Sequence, residues 1–309
     1  ERVRMVRSDT YWQPDLPYLD ELQFLFIAEA ATRVQALSVG TVDAIWNLPA
    51  EQVATVEANP DLRLEEVPET TYQPIVMNQN YPPMDDNRVR EALKLCVDRA
   101  GILQVAAQGR GTIANDQPVP PWSALHADIP PREQDIEQAR ALLAEAGYPD
   151  GLTVQMATSA LRAGMVETAV AFQEMAQQAG ITIELERLPN DTYWSEYLNY
   201  PLATSHFPYS PPSLDASLAL AYHSGGAWHE PGYQNPELDA LIEQVGAETD
   251  PTQRAEMYAQ IQQLISDEGA WIIPYYRATL QAFHTNVHDV QITAEALLDM
   301  SAAWVEQTE

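Results

Sequence analysis

The chain has 309 residues, 45 of them acidic against 16 basic, for a formal net charge of −29. That imbalance sets it against the phosphates of DNA or RNA and against an anionic membrane surface. With 46% hydrophobic residues it can bury one large core or two modest ones, and no apolar run reaches the roughly 18 residues that cross a bilayer. No charged-then-apolar leader opens the sequence at Glu1, so it reads as a mature, trimmed or partial soluble chain.

Residues 21–27 read as a strand and 28–39 as a helix, with Ala31, Val34, Ala36 and Leu37 on one side and Gly40 as its stop. A short strand follows at 43–46, Pro49 opens a helix, and 62–67 and 72–77 are further strands. The second of these closes at Asn78, turns through Pro82 and Pro83, and gives way to a helix over 87–97 with Val89, Leu93, Cys96 and Val97 at helical spacing. Asp85 and Asp86 read as its cap. It carries the only lysine, Lys94, and the only cysteine, Cys96, which can form no internal disulfide and is expected to be a buried, inert thiol.

After Gly109-Arg110-Gly111, the prolines at 118, 120 and 121 mark an irregular crossing segment. Beyond it the pattern predicts a helix over 134–146, a strand over 152–158, a helix over 165–179 and a strand over 181–188, which is a second α/β unit. Residues 235–245 and 251–266 are expected helices and 271–276 an apolar strand; 281–309 holds only short strand candidates.

The sequence offers little to an enzyme. Gly109-Arg-Gly-Thr-Ile-Ala lacks the spacing and the lysine of a phosphate loop, and no G-x-S-x-G, H-E-x-x-H or C-x-x-C is present. His229-Glu230 has no second histidine four residues away, and His284 and His288 sit around a turn. No catalytic residue, metal or cofactor is expected. The richer stretch is 205–229, where aromatic rings and polar tips share a proline-held loop suited to a concave site. Leu218, Leu220 and Tyr222 fit the core of its helix; His206, Phe207, Tyr209 and Trp228 are the candidates for solute contact. Asn78 and Asn80 at a strand end, and Asn115, Asp116 and Trp122 on the crossing segment, either tie down turns or face a ligand.

The run N-Q-N-Y-P-P-M-D-D-N-R-V-R-E-A-L-K-L-C-V-D at 78–98, followed by Arg99, resembles the strand-turn-helix signature of family 5 extracellular solute-binding proteins, which serve peptide, nickel and oligosaccharide ABC importers. The likeness extends through Y-W at 11–12, P-Y-L-D-E-L at 17–22, A-L-S-V-G-T-V-D-A at 36–44, A-R-A-L-L-A-E-A-G-Y at 139–148, N-P-E-L-D-A-L-I at 235–242 and R-A-E-M-Y-A-Q-I-Q-Q-L-I at 254–265.

This resemblance implies an α/β, two-lobed, periplasmic-binding-protein-like fold of the class II type, monomeric and free of cofactors. Such a protein works in the periplasm, or tethered outside the membrane, and delivers a peptide-like or other small solute to an ABC permease by hinge closure over an interlobe cleft. Relatives carry a long portion before the Tyr-Trp turn, whereas Glu1 sits almost on it here, so the first lobe is expected to be incomplete, with sheet edges and apolar surface uncovered. The expected division is 1–108 for that lobe, 109–282 for the second and 283–309 returning to the first, with crossings near 105–112 and 280–288. The family's ring position falls on Phe207 and its amine-pairing aspartate position on Ser210. A serine cannot offset the desolvation of an ammonium as a carboxylate does. The resemblance therefore implies a neutral or weakly charged solute stacked on Phe207, Tyr209 and Trp228, with His206 as a polar contact. A hydrolase-type α/β enzyme and a chaperone-like peptide-binding module are the competing readings.

Overall fold

The computed structural model describes residues 1–207, 213–230, 232–292 and 298–306 of a mixed α/β chain. Two compact units emerge, one from Glu1–Glu69 with Ala278–Glu309 and the other from Thr70–Arg277.

In the first unit, β1 (Arg2–Val6) pairs antiparallel with β2 (Glu21–Leu25), Arg2 opposite Leu25 and Val6 opposite Glu21. Then come α1 (Ala30–Ser38), β3 (Ala44–Ile45), α2 (Val53–Glu57) and the start of β4 (Leu62–Tyr72). Val34 and Leu37 on the inner face of α1 pack with Ile45, Leu48, Val53, Val56, Leu62, Leu280 and Ala282. All five residues of β1 are exposed, and Trp12 and Phe26 also stand in solvent. The tail adds two short antiparallel pairs, described below.

The second unit starts with β5 (Ile75–Met77), α3 (Asn87–Leu95), α4 (Arg99–Ala107), β6 (Gly111–Ile113) and α5 (Ile136–Glu145). It continues through β7 (Leu152–Thr158), α6 (Met165–Gln178), β8 (Ile181–Arg187), α7 (Tyr193–Glu196) and β9 (Leu202–Thr204). It ends with α8 (Leu214–Ala221), α9 (Pro236–Ala247), α10 (Pro251–Glu268), β10 (Trp271–Ile272) and the start of β11 (Tyr275–His284). Its sheet has the order β10-β5-β9-β7-β8, with β7 parallel to β8 and β9, and β5 antiparallel to β9 and β10. Helix starts are capped by side chains, Asp86 for α3, Asp98 for α4, Asn235 for α9 and Asp250 for α10.

Where the sequence places a boundary near 108, the structure keeps residues 70–108 with the second unit, and the chain crosses between units at 69–70 and 277–278. The reason is burial. Ile75, Val76 and Met77 are covered on both faces and need a strand on each edge, which β9 and β10 supply. Val89, Leu93 and Cys96 of the α3 segment join the core of β7 and α6. Cys96 is free and buried, and burial pushes its thiol up to about 12.

The expected strand over 271–276 is broken at Ile273–Pro274. Pro274 has no N–H for a ladder, and the Ile273 N–H donates to the Asp116 carboxylate at 2.8 Å. Beyond the break β11 pairs first with β6, at Tyr275–Arg277, and later with β3, at Ala282 and Phe283. The tail closes with β12 (Val287–His288) on β15 (Trp304–Val305) and β13 (Gln291–Ile292) on β14 (Leu298–Asp299).

One buried polar device ties α3 to α10. The last turn of α10 has no basic residue of its own, and its carbonyls take Arg90 at Glu268 (2.9 Å) and Lys94 at Ser266 (2.6 Å). These cations meet the negative end of the helix dipole. Burial lowers Lys94 to about 7.

Candidate functional site

In the second unit the chain leaves β7, returns on one side of it as β8 and then on the other as β9. That reversal opens the sheet beyond the carboxyl ends of its parallel strands, the place where open α/β sheets take ligands. Polar side chains gather there. The Thr158 and Thr204 hydroxyls lie 3.0 Å apart, the Ser159 hydroxyl donates to Asn190 Oδ1 at 2.8 Å, and the Tyr193 hydroxyl donates to the Thr204 carbonyl.

Gln73, one residue after β4, spans the same end. Its Nε2 donates to the Ala163 carbonyl at 2.8 Å and its Oε1 accepts from the Tyr275 hydroxyl at 2.8 Å. Gly164, which starts α6, is required by this approach: its φ is +91°, and a Cβ would meet both Gln73 Oε1 and the Tyr275 hydroxyl at 2.8 Å.

His206 lies two residues beyond the end of β9. Burial, then the nearby Arg277 and Arg162, lower it to about 4, so it is neutral at ordinary pH. Its Nδ1 is shielded from water and has no partner among the described residues. In a chain with 16 cations against 45 acids, the half-buried Arg277 and the exposed Arg162 lie within electrostatic reach of this uncharged imidazole.

A row of rings borders this end of the sheet. Trp122, 41% exposed, sits edge-on to Tyr276 at 5.6 Å; Tyr276 sits edge-on to Tyr72 at 5.7 Å; Tyr72 stacks on Phe207 at 5.8 Å. Phe207 is only 5% exposed and pairs with Tyr72 through its backbone as well. The row continues inward through Tyr222 to Trp271 at 4.7 Å, and His229 and Tyr233 stand edge-on to Trp271.

Of the residues singled out in the sequence, Phe207 and Trp122 share this row, and His206 lies beside the arginines. Trp228 is 45% exposed and has no ring contact among the described residues. Tyr209 and Ser210 lie outside the described residues. Asn78 is buried, donating to the Leu198 carbonyl at 2.8 Å and accepting from the Asn80 N–H at 3.1 Å, a local turn. Asn80 is exposed close to Gly232. Asn115 accepts from the Arg132 N–H at 2.7 Å, and Asp116 is fully buried against Arg99 and Arg132. Asp215, in the first turn of α8, is held by Arg254 and Tyr258.

Arg162, Arg277, Tyr72, Tyr276 and Ser205 carry no signal as site residues in the sequence alone. Apart from the adjacent Tyr276 and Arg277 they lie far apart along the chain, and none stands in a recognisable spacing. Glu230 drew attention only as a partner of His229. Its Oε1 accepts from the Tyr197 hydroxyl at 2.6 Å and the Ser205 hydroxyl at 2.9 Å, and burial raises the carboxyl to about 7. Among the described residues no group of three or more His, Cys, Asp or Glu is placed to hold a metal ion, and no helix is long and apolar enough to cross a membrane.

A parallel-centred α/β sheet with polar groups at its strand ends and a bordering row of aromatic rings is an arrangement suited to holding a small molecule. Residues 1–229 match the family described as bacterial extracellular solute-binding proteins, family 5 Middle, and the chain belongs to that family. It is 27% identical over 284 residues to the glutathione-binding protein GsiB of Escherichia coli (strain K12), covering 87% of this chain and 55% of that one. It is 28% identical over 282 residues to heme-binding protein A of Haemophilus influenzae, covering 88% and 51%. The chain thus spans about half the length of these curated relatives. Among solved structures, the binding protein AgaA of A. tumefaciens R10, in complex with agropinic acid, superposes with a TM-score of 0.82 at 22% identity, covering 100% of this chain and 65% of that one.

Proposed function

We propose that the chain is part of an extracytoplasmic solute-binding protein of an ABC importer, capturing a small carboxylate-bearing solute at the strand ends of its second unit. The solute-binding role rests on the family match over residues 1–229, and the carboxylate preference on Arg277 and Arg162, both near enough to His206 to lower it. Arginine offers planar donors that match a carboxylate, and an uncharged imidazole adds a contact without competing for the anion. The row from Trp122 to Phe207 gives the solute's apolar part a face to lie against. Glutathione and heme, the ligands in the names of the two curated relatives, both carry carboxylates.

The same proposal covers a membrane permease as partner, a place outside the cytoplasmic membrane, action as a monomer and closure about the two chain crossings. It assigns the protein no bond chemistry. It departs from the neutral-solute expectation because that expectation rested on Ser210 alone, whereas Arg162 and Arg277 are brought in by the fold.

Calorimetry with N-acetyl-alanylalanine and its C-terminal amide tests it. A charge-assisted hydrogen bond contributes about 1.5–3 kcal/mol, so Arg162→Gln and Arg277→Gln should each weaken binding of the acid by about tenfold or more. Equal binding of the acid and the amide would overturn the carboxylate reading.

A further inference from the structure

Gln73 is the buried side chain that touches every part of the arginine corner. It is 1% exposed, and the segment around it runs antiparallel to residues 205–207. Tyr72 and Phe207 exchange both backbone hydrogen bonds, at 3.2 and 3.0 Å, and the Ser205 N–H donates to the Pro74 carbonyl at 2.8 Å. That register sets Gln73 opposite His206, between two hydrogen-bonded positions. Residues opposed in this way carry their side chains on one face, closer together than hydrogen-bonded pairs do.

Both ends of the Gln73 amide are engaged. Nε2 donates to the carbonyl of Ala163, the residue after Arg162, and Oε1 accepts from the Tyr275 hydroxyl, each at 2.8 Å. Tyr275 is also 1% exposed, and it lies on β11 two residues before Arg277, so the two side chains leave the strand on the same face. Among the described residues neither Arg162 nor Arg277 has a hydrogen bond or an ion pair of its own. Their guanidiniums are therefore placed by the backbone that carries them, and one buried amide fastens both stretches of that backbone.

We infer that Gln73 is a positioning residue for the carboxylate site: it holds the turn bearing Arg162 against the strand bearing Arg277 and so sets the spacing at which both meet one carboxylate. This deepens the proposed function and rests on it. Hydrogen bonds weaken steeply as they are bent, so a loosened clamp penalises the anion, which depends on directed donors, more than a neutral analogue lying on the same rings.

The test measures N-acetyl-alanylalanine and its C-terminal amide by calorimetry on the protein, on Gln73→Met and on Tyr275→Phe. Methionine fills the space of the glutamine without either hydrogen bond, and phenylalanine keeps the ring while removing only the donor to Oε1. The expected result is that the advantage of the acid over the amide falls at least about fivefold in Gln73→Met, and in the same direction in Tyr275→Phe, while the amide's own affinity changes less than about twofold. An advantage that survives in Gln73→Met, or a loss shared equally by acid and amide, assigns Gln73 to the fold alone and overturns the inference, leaving the carboxylate reading in place. Should Gln73→Met fail to fold, the same outcomes in Tyr275→Phe decide. Equal binding of acid and amide by the unmutated protein, or binding of neither, overturns the carboxylate reading and the inference with it.

Discussion

The hydroxyls of Tyr72 and Tyr222 meet at 2.6 Å, 150 positions apart in sequence. Tyr72 ends β4, and Tyr222 closes α8. The contact joins the ring row at the strand ends to the Trp271 cluster behind it. Burial raises Tyr222 well above its ordinary value, with the Tyr72 hydroxyl adding to the shift, so the Tyr222 hydroxyl stays protonated.

Tyr222→Phe should destabilise the protein by about 1 kcal/mol, the net worth of a buried hydrogen bond whose partner loses its mate. A double-mutant cycle with Tyr72→Phe, read by urea denaturation, should show a coupling of about 0.5 kcal/mol or more. Additive effects would show that the two hydroxyls do not stabilise one another.

Two buried groups give stability opposite dependences on pH. Glu230 is raised from 4.5 to about 7, so its contribution is fully present below about 4.5 and is lost as pH rises through about 7. The size is on the order of 3 kcal/mol. Lys94 is lowered from 10.5 to about 7, so its contribution is present above about 10.5 and is lost as pH falls through about 7. His206, lowered from 6.5 to about 4, loses its contribution as pH falls over the same acid window and offsets Glu230 there, so each group is read from the difference in denaturant midpoint between the protein and its variant from pH 4.5 to 10. Glu230→Gln should remove the fall on the acid side, and Lys94→Met the rise on the alkaline side. A flat Glu230→Gln difference from pH 4.5 to 7 would contradict this account.

Asp116→Ala should cost about 3–5 kcal/mol, because it leaves the buried Arg99 guanidinium without its carboxylate and the Ile273 N–H without an acceptor. Thermal unfolding followed by circular dichroism reads it. A loss below about 1 kcal/mol would mean that the buried pair adds little.

Gly164→Ala should destabilise by about 1–3 kcal/mol, since the left-handed φ disfavours any Cβ and the space is taken by Gln73 and Tyr275. Because Arg162 lies two residues before that turn and its carbonyl accepts from the Met165 N–H, binding of N-acetyl-alanylalanine should weaken as well if the carboxylate reading holds. Unchanged stability and binding would show that the turn relaxes freely.

Much of the second unit could be read from the sequence. The helix at 87 with its Asp86 cap, α5, α6, α9 with Asn235, α10 with Asp250, and the strands β7 and β8 all follow from features within a few residues: apolar spacing, capping side chains, and glycine or proline stops. The family resemblance was legible too, because its motifs recur in order along the whole chain. The exposed strand β1 was missed, since five residues packed on nothing leave no burial pattern.

The site was less legible. His206, Phe207 and Trp122 stood out as polar or aromatic residues in irregular segments, but Arg162, Arg277 and Glu230 looked like ordinary surface charges. What the sequence by itself determined is the local order of helices and strands and the family they form, because those depend on contacts between near neighbours. Only the tertiary structure decided that β5 belongs to the second unit, that the 271–276 run divides between two sheets, that Ser205 bonds Glu230, and that Arg277 and Arg162 come within electrostatic reach of His206. Those outcomes turn on which buried edge or orphaned polar atom finds a partner many tens of residues away, and no local pattern encodes that choice.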